Sequence, residues 1–414
     1  MPQSQVERPM KCTALAGCTR GLLFILIAAF GLFGSALQPL QCQTYQVIHN
    51  FTGVGTDGAT PYSGPAFDRF GNLYGTTYLG GGFGDGIVYQ LSPQGSAWTF
   101  STLHNFTGGG DGAGPAFGSL AIRRNGALFG TTEGGANFGT AFKVRSHAGV
   151  WQETVVHRFG VGADGAQPIG GVVFDSAGNF YGTTSLGGTL GNGTVFQGTH
   201  TRHGWVESVI YNFTGGNDGA SPPAGVSVDA QGNVYGTTSF GGVNGFGVVY
   251  ELLRSGSGWT QTVLYSFQGE NDGEYPVGGV VLDQAGNIYG ATFAGGVNGG
   301  GIVYKLSPSG KNWALTTLYS FTGGFGGPYN KLTLDAQGNI YSTTNAEGAF
   351  GLGSVFKLTP GDGGWTYTDL YDFTGGSDGG SPYGSVALDA KGNIFGTAVV
   401  GGSNNQGVVF EITP

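Results

Sequence analysis

The sequence predicts an all-β, seven-bladed β-propeller with four strands per blade, and three observations support this fold class. A glycine–aromatic motif recurs seven times at a nearly constant interval, and each copy carries four short strand-like segments. The copies are also offset, so that the segments at the two ends of the chain complement each other. Repeats of about 50 residues with glycine and aromatic punctuation are typical of propeller blades and related arrays.

Composition excludes several other classes of protein. Glycine contributes 86 of the 414 residues, aromatic residues 13% and charged residues 10%. Collagen needs a strict three-residue glycine period, which this chain lacks, and intrinsic disorder needs few aromatics and high net charge. The formal net charge of −9 argues against nucleic acids and anionic membranes as partners, because both attract clustered lysine and arginine.

The repeat register comes from the pattern Gly-Asn-aliphatic-aromatic-Gly-Thr-Thr, read with small variations. The seven copies begin at Gly71, Gly126, Gly178, Gly232, Gly286, Gly338 and Gly392, and successive copies are 55, 52, 54, 54, 52 and 54 residues apart. One repeat illustrates the four predicted strands, which are Gly279–Asp283, Asn287–Thr292, Gly301–Leu306 and Trp313–Phe321. Helical periodicity is absent from the repeats.

The residues shared by the repeats are assigned to turns and packing. In six copies an aspartate stands three residues before a glycine, which predicts an Asx-type turn between the first and second strands. The second copy has Arg123 and Arg124 there instead. Each tryptophan lies eight residues before a phenylalanine, and a histidine or tyrosine lies two residues before that phenylalanine. This recurrence predicts packing between blades.

The offset of the repeats predicts how the ring closes. Thr44–Phe51 has the pattern of a fourth strand, whereas the sequence ends after a third-type strand, Gly407–Ile412. We predict that the two segments pair, with Thr44–Phe51 as the outermost strand, which completes the seventh blade and removes an exposed sheet edge.

Residues 1–36 are predicted to be a secretory signal peptide. Arg20 precedes the apolar run Gly21–Phe33, and Gly34–Ala36 supplies small residues for cleavage; an uncleaved anchor helix is the alternative. Residues 37–43 then form a short lead, and residues 44–414 form the propeller. We therefore expect a periplasmic or extracellular protein with no membrane span after cleavage, in which Cys42 is the one thiol left.

The repeat units resemble those of a known family. The order Tyr-Gly-Thr-Thr, then a glycine pair, then Gly-x-Val-aromatic and a later tryptophan resembles the GloVer tandem repeat of bacterial "choice-of-anchor" secreted proteins, over about residues 44–414. The resemblance implies an exported repeat protein, usually held by one of several C-terminal anchors, and it brings no established activity. The blade layout is also similar to that of kelch propellers, a likeness of architecture alone.

The sequence points to binding more than to catalysis. It contains no nucleophile elbow, zinc-protease motif or Walker A motif. We predict a monomeric, non-catalytic binding or scaffold module for an extracellular glycan or other polar polymer, or for an envelope protein. We expect no cofactor, metal or nucleic acid. A polysaccharide-active enzyme and a purely structural envelope protein are the alternatives.

The long loops supply the candidate binding residues. In an up-and-down blade, the second-to-third loops and the fourth-to-first connections emerge on one face, here called the long-loop face. The tight turns lie on the opposite, short-turn face. Asp-Gly pairs in the connections are compatible with a turn, with calcium or with ligand contact. Because long loops on rigid scaffolds carry binding sites, we predict docking on the long-loop face, over the central channel, by Asp218, Glu270, Asp272, Glu274 and Tyr275.

Overall fold

The computed structural model describes residues 8–9 and 43–414, apart from positions 116, 137, 161, 257, 324 and 325. Most of the predicted signal peptide, the lead before residue 43 and all three cysteines therefore lie outside the described residues. Within the described part of the chain, no helix is long and apolar enough to span a membrane.

Seven antiparallel sheets form the seven predicted blades, each with four main strands. Blade 1 comprises Ala66–Phe67, Leu73–Thr77, Ile87–Gln94 and Ala97–Asn105. Blade 2 comprises Ala121–Ile122, Leu128–Thr132, Thr140–His147 and Val150–Arg158. Blade 3 comprises Val173–Phe174, Phe180–Thr184, Thr194–Thr201 and Gly204–Asn212. Blade 4 comprises Ser227–Val228, Val234–Thr238, Val248–Ser255 and Gly258–Ser266. Blade 5 comprises Val281–Leu282, Ile288–Ala291, Ile302–Ser309 and Asn312–Ser320. Blade 6 comprises Thr333–Leu334, Ile340–Thr344, Ser354–Gly361 and Gly364–Asp372. Blade 7 comprises Ala387–Leu388, Ile394–Ala398, Val408–Thr413 and Thr44–Asn50.

The first strands are shorter than the sequence suggests. Gly279–Asp283 was predicted as a strand, but the paired segment in blade 5 is Val281–Leu282. The preceding glycines serve contact between blades instead: a Cβ atom on Gly278 would lie 2.3 Å from the carbonyl oxygen of Asn330 in blade 6. The Asp283 carboxylate belongs to the following turn, where it accepts a 2.9 Å bond from the Asn287 amide.

The predicted Asx turns are present between the first and second strands. In blade 4 the Asp229 Oδ1 accepts a 2.8 Å bond from the Asn233 backbone amide, and Asn233 Nδ2 donates to Asp229 Oδ2 at 2.8 Å. Gly232 takes a φ of 87°, in the region that glycine tolerates best. Asparagine, aspartate and glycine thus fix this turn by local bonds.

Aromatic side chains fill the seams between neighbouring blades, as predicted. Trp205 of blade 3 packs edge-on against Phe129 of blade 2, with ring centroids 5.5 Å apart. Phe213, which follows the outer strand of blade 3, contacts Tyr250 of blade 4 at 5.1 Å and is fully buried. Each seam therefore carries a small apolar core of its own.

The predicted ring closure is confirmed. Thr44–Asn50 pairs antiparallel with Val408–Thr413, with Tyr45 opposite Ile412 and Val47 opposite Phe410. Arg8–Pro9 forms a further two-residue pairing on the outer side of Thr44–Tyr45, so Thr44–Asn50 is not the outermost strand of this sheet.

The long-loop face carries two small elements besides the blades. Gly58–Ala59 pairs with Leu79–Gly80 beside blade 1, and Glu270–Asp272 forms a single 3₁₀ turn between blades 4 and 5.

Candidate functional site in the central channel

The first strands and their turns surround a cavity of about 1110 Å³ in the centre of the ring. Its lining comes mainly from blades 2 to 6, and it extends from Phe117 and Tyr329, before the first strands, to Arg124 and Ser176 in the tight turns. Arg124 and Ser176 are exposed on the short-turn face. The cavity therefore runs along the central channel on the side of blades 2 to 6, and its exposed lining residues lie at the short-turn end.

Small residues allow the first strands to approach each other around this channel. A Cβ atom on Gly118 would lie 2.2 Å from the Gly171 backbone nitrogen, and one on Gly170 would lie 2.1 Å from the Gly225 backbone nitrogen. Real Cβ atoms do not come so close to backbone, so these positions require glycine. The repeated glycines thereby set the width of the channel.

Aromatic rings occupy the long-loop end of the channel. Phe117 of blade 2 lies 5.4 Å from Tyr329 of blade 6 and 5.2 Å from Tyr62 of blade 1, measured between ring centroids. Tyr383 of blade 7 lies 5.3 Å from both tyrosines. Blades 2 and 6 are not neighbours, so the rings meet across the channel. They fill this end between blades 6, 7, 1 and 2.

Lys331 projects into the channel and breaks the sevenfold repetition. Its Nζ atom donates a 2.7 Å hydrogen bond to Ser227 Oγ in blade 4, passing Gly279 of the intervening blade. The corresponding positions of the other blades carry Gly64, Ser119, Gly171, Gly225, Gly279 and Ser385. A long cationic side chain therefore stands where six blades carry glycine or serine.

The Lys331 ammonium is placed in an unfavourable electrostatic environment. Among the described residues, no carboxylate lies within ion-pair distance of its Nζ atom. Burial lowers the pKa of Lys331 to about 8, because an ammonium loses hydration in the channel without gaining a counter-ion. An anion bound beside it would supply the missing charge.

Two arginines add positive charge at the short-turn end. Arg123 stands where the other six blades have the turn aspartate, and its guanidinium lies 4.2 Å from the ring centroid of Phe174. Arg124 follows it in the same turn, and both line the cavity. Asp175 is the one carboxylate among the described lining residues, and its oxygens accept bonds from Asn179 and Tyr181.

This arrangement suits anion binding better than serine chemistry. Ser227 Oγ donates to the Val280 carbonyl at 2.5 Å and accepts from Lys331, so the lysine is a donor rather than a base toward it. Ser227 is also 7% exposed, which leaves little access for a reacting group. An ammonium, two guanidiniums and neutral hydroxyls are groups that hold a carboxylate, sulfate or phosphate.

The sequence-predicted residues lie outside the cavity lining. Asp218 accepts bonds from Tyr211 at 2.9 Å and from the Thr214 amide at 2.8 Å. Asp272 accepts equivalent bonds from Tyr265 at 2.7 Å and the Gln268 amide at 3.0 Å. These Asp-Gly aspartates tie a connection to the outer strand of the preceding blade, which accounts for the turn interpretation of the motif.

The other three predicted residues share one loop between blades 4 and 5. The Glu270 amide donates to Glu274 Oε1 at 3.3 Å, and Tyr275 packs against Phe240 at 5.5 Å. Tyr275 has a φ of 54°, but the residues before Pro61, Pro168, Pro222 and Pro382 also have positive φ. That backbone strain is thus architectural. Glu270 and Glu274 are therefore the more distinctive residues of this loop. Asp272 lies in the same loop, whereas Asp218 lies in the connection between blades 3 and 4.

Sequence reasoning missed Lys331, although a signal for it exists. Aligning the seven copies on their turn aspartate, or on Arg123 in blade 2, shows a lysine at a glycine or serine position. Arg123 and Arg124 are exceptions to the turn pattern, but nothing in the linear sequence places them on the same cavity as Lys331.

Comparison with solved structures shows the propeller fold alone. A protein described as a putative 6-phosphogluconolactonase from Bacteroides uniformis has 12% identity and a TM-score of 0.50, covering 79% of this chain and 90% of its own. One described as a putative oxidoreductase (glucose dehydrogenase) from Thermus thermophilus has 16% identity and a TM-score of 0.44, covering 73% of this chain and 94% of its own. A triple mutant of AofleA from Arthrobotrys oligospora has 10% identity and a TM-score of 0.41, covering 79% and 89%.

The comparison by sequence is more specific. No curated protein matches the chain. The sequence pattern of the Gloeobacter/Verrucomicrobia repeat matches residues 35–238 and 222–414. Since these two ranges together cover the whole propeller, the chain belongs to the Gloeobacter/Verrucomicrobia repeat family.

Proposed function

We propose that this protein is an exported, non-catalytic binding module that holds an anionic group of an extracellular polar polymer, such as an acidic glycan, in its central channel. The observation that carries this proposal is the Lys331 ammonium, which lies in the channel without a carboxylate partner among the described residues. A half-buried ammonium without a counter-ion is unfavourable, and a bound anion would supply the missing charge.

The charge distribution supports a glycan rather than a nucleic acid. Three cations, Lys331, Arg123 and Arg124, line a cavity on a protein whose formal net charge is −9. Nucleic-acid binding depends on many phosphate contacts spread over a basic surface. Three cations along one cavity instead suit carboxylates or sulfates carried by successive sugar units.

The absence of a paired acid and base among the described lining residues supports binding over glycoside hydrolysis. Hydrolysis of that kind normally uses two carboxyl groups on either side of the scissile bond, whereas Asp175 alone contributes a carboxylate here and is held in its turn.

Export is the second part of the proposal, and it rests on the order of basic, apolar and small residues in 20–36. Cleavage after Ala36 predicts a mature N-terminus at Leu37. N-terminal sequencing of the protein purified from its native host tests this, and a chain that still begins at Met1 would contradict cleavage.

The long-loop residues Asp218, Glu270, Asp272, Glu274 and Tyr275 are proposed as a separate contact surface for a polar polymer, on the face opposite the short-turn end of the channel. Asp218 and Asp272 already bind their own connections. Glu270→Ala combined with Glu274→Ala is therefore the variant that changes this surface with the least effect on loop geometry.

The experiment compares binding of polygalacturonate, dextran sulfate and neutral dextran to the mature chain. We expect the two anionic polymers to bind and Lys331→Met to weaken them tenfold or more, since a hydrogen bond to a charged group contributes about 1.5–3 kcal/mol. Lys391→Met is the matched control, because Lys391 is exposed in the blade 7 tight turn and does not line the cavity. Equal binding by both variants, or preference for neutral dextran, would contradict the proposal.

A further inference from the structure

The seam between blades 2 and 3 brings together three potential metal ligands from different segments. His157 lies on the outer strand of blade 2, Asp164 on the connection that follows it, and Glu207 on the outer strand of blade 3. None of the three lines the channel cavity. The cluster is therefore separate from the site proposed above.

The donor atoms have the spacing of a small coordination sphere. His157 Nε2 lies 3.0 Å from Asp164 Oδ1 and 3.8 Å from Glu207 Oε2, and donor atoms of all three residues lie within 4.8 Å of one another. Tetrahedral zinc with bonds near 2.1 Å requires donors about 3.4 Å apart. Side-chain shifts of a few tenths of an ångström would bring the two histidine distances to that value.

Local contacts already orient the ligands. The Gly160 amide donates to Asp164 Oδ2 at 2.7 Å, which fixes this carboxylate with its two oxygens 3.0 and 3.3 Å from His157 Nε2. The His157 ring packs edge-on against Phe159, with centroids 4.7 Å apart. Partners of this kind commonly orient ligands in metal sites.

Glu207 adds an unpartnered acceptor to the cluster. Its side chain is 7% exposed, and its Oε1 atom has no hydrogen-bond partner among the described residues. No lysine or arginine within that part of the chain forms an ion pair with Glu207 or Asp164. A buried carboxylate oxygen without a partner is unfavourable, and a bound cation would supply that partner.

We propose that His157, Asp164 and Glu207 bind one divalent transition-metal ion, with Zn²⁺ as the best match. One imidazole and two carboxylates are typical zinc donors, and their combined charge neutralises the ion. The exposed fractions of His157 and Asp164, 24% and 30%, leave room for water as a fourth ligand. The ion would cross-link two blades through three separate segments and so stabilise the seam.

The preceding seam provides an internal control. There His104 Nε2 lies 3.4 Å from Asp111 Oδ2, and Glu153 stands at the position equivalent to Glu207. The set His104, Asp111 and Glu153 does not converge as His157, Asp164 and Glu207 do. Glu207→Gln and Glu153→Gln are therefore chemically identical changes at equivalent positions, one inside the proposed site and one outside it.

The test is calorimetric titration of ZnCl₂ into the chelator-treated mature chain, with thermal unfolding in parallel. We expect one Zn²⁺ per chain, a higher melting temperature with the metal, at least tenfold weaker binding in Glu207→Gln and unchanged binding in Glu153→Gln. Thermal unfolding without metal checks that Glu207→Gln is folded. Co²⁺ in place of Zn²⁺ gives a spectroscopic readout, and His157→Ala should lose its absorption bands.

Three results would overturn the proposal. These are no saturable Zn²⁺ binding by the wild-type chain, equal effects of the two glutamine variants, or saturable binding of Ca²⁺ without Zn²⁺.

Discussion

Lys331 and Ser227 stand on blades 6 and 4, yet Lys331 Nζ donates a 2.7 Å hydrogen bond to Ser227 Oγ. Two residues 104 positions apart in the chain thus meet inside the channel, past the bare backbone of Gly279. This hydrogen bond positions the ammonium but does not neutralise its charge, because the serine hydroxyl is neutral. The interior of the ring is consequently the place where the repeat departs furthest from its own symmetry.

Anion binding in the channel should depend on pH through Lys331. Burial lowers the pKa of this lysine to about 8, so its ammonium is mostly present at pH 7 and mostly lost at pH 9. We expect polygalacturonate affinity to fall about tenfold between these values. Lys331→Arg keeps its charge over this range and should remove most of the dependence. Wild-type affinity that stays constant from pH 7 to pH 9 would exclude Lys331 as the binding cation.

Closure of the ring should be a large source of stability. The Thr44–Asn50 strand supplies Tyr45, which stacks on Tyr371 at 3.9 Å and donates to the Asp378 carbonyl. Deletion of residues 1–51 should lower the melting temperature sharply, because it removes a paired strand and exposes the edge of blade 7. Deletion of residues 1–43, which keeps the strand, is the control. Equal melting temperatures for the two truncated chains would contradict this role.

The close approach of the first strands should make one glycine irreplaceable. A Cβ atom on Gly170 would lie 2.1 Å from the Gly225 nitrogen, whereas one on Gly363 would meet nothing within 4 Å, and neither glycine has a positive φ. Gly170→Ala should therefore cost about 1–3 kcal/mol of unfolding free energy, and Gly363→Ala almost nothing. Denaturant unfolding measures both, and similar values would show that the blades can move apart without cost.

Glu153 should make stability depend on pH. Burial, followed by the Asp111 charge, raises its pKa to about 7 from an ordinary value of 4.5. The folded chain thus retains a proton that the unfolded chain releases. The stability that the folded chain gains from this retained proton is fully present below about pH 4.5 and is lost as pH rises through 7. Glu153→Gln should lessen the decline between pH 5 and 8 by about 1 kcal/mol, measured by thermal unfolding, with Glu270→Gln as the control. A decline unaltered by Glu153→Gln would contradict the assignment.

The residues that serve the fold could be predicted because they recur. Trp205 and its counterparts, the turn aspartates and the offset of Thr44–Phe51 appear in a fixed order, so periodicity alone indicates blades, seams and closure. The length of the first strands could not be predicted, because Gly278 and Gly279 precede an apolar run and their contact with blade 6 is tertiary.

The candidate sites could not be predicted as sites, because each combines residues from different repeats that only the fold brings together. In the sequence, Lys331 appears as one polar residue beside a strand, and Glu207 as an ordinary polar position on an outer strand. Their significance comes from Ser227 and His157, which the folded ring places beside them. Asp218 and Asp272 illustrate the opposite case, since exposed loops suggested binding but their carboxylates are bonded within those loops.

A crystal structure of the mature chain with a short oligogalacturonate would show where the anion binds. We expect a carboxylate of the ligand inside the channel, within hydrogen-bond distance of Lys331 Nζ, about 2.7–3.2 Å, with the sugar chain leaving past Arg123 and Arg124 on the short-turn face. A ligand bound instead to Glu270, Glu274 and Tyr275 on the long-loop face, with the channel free of sugar, would contradict it.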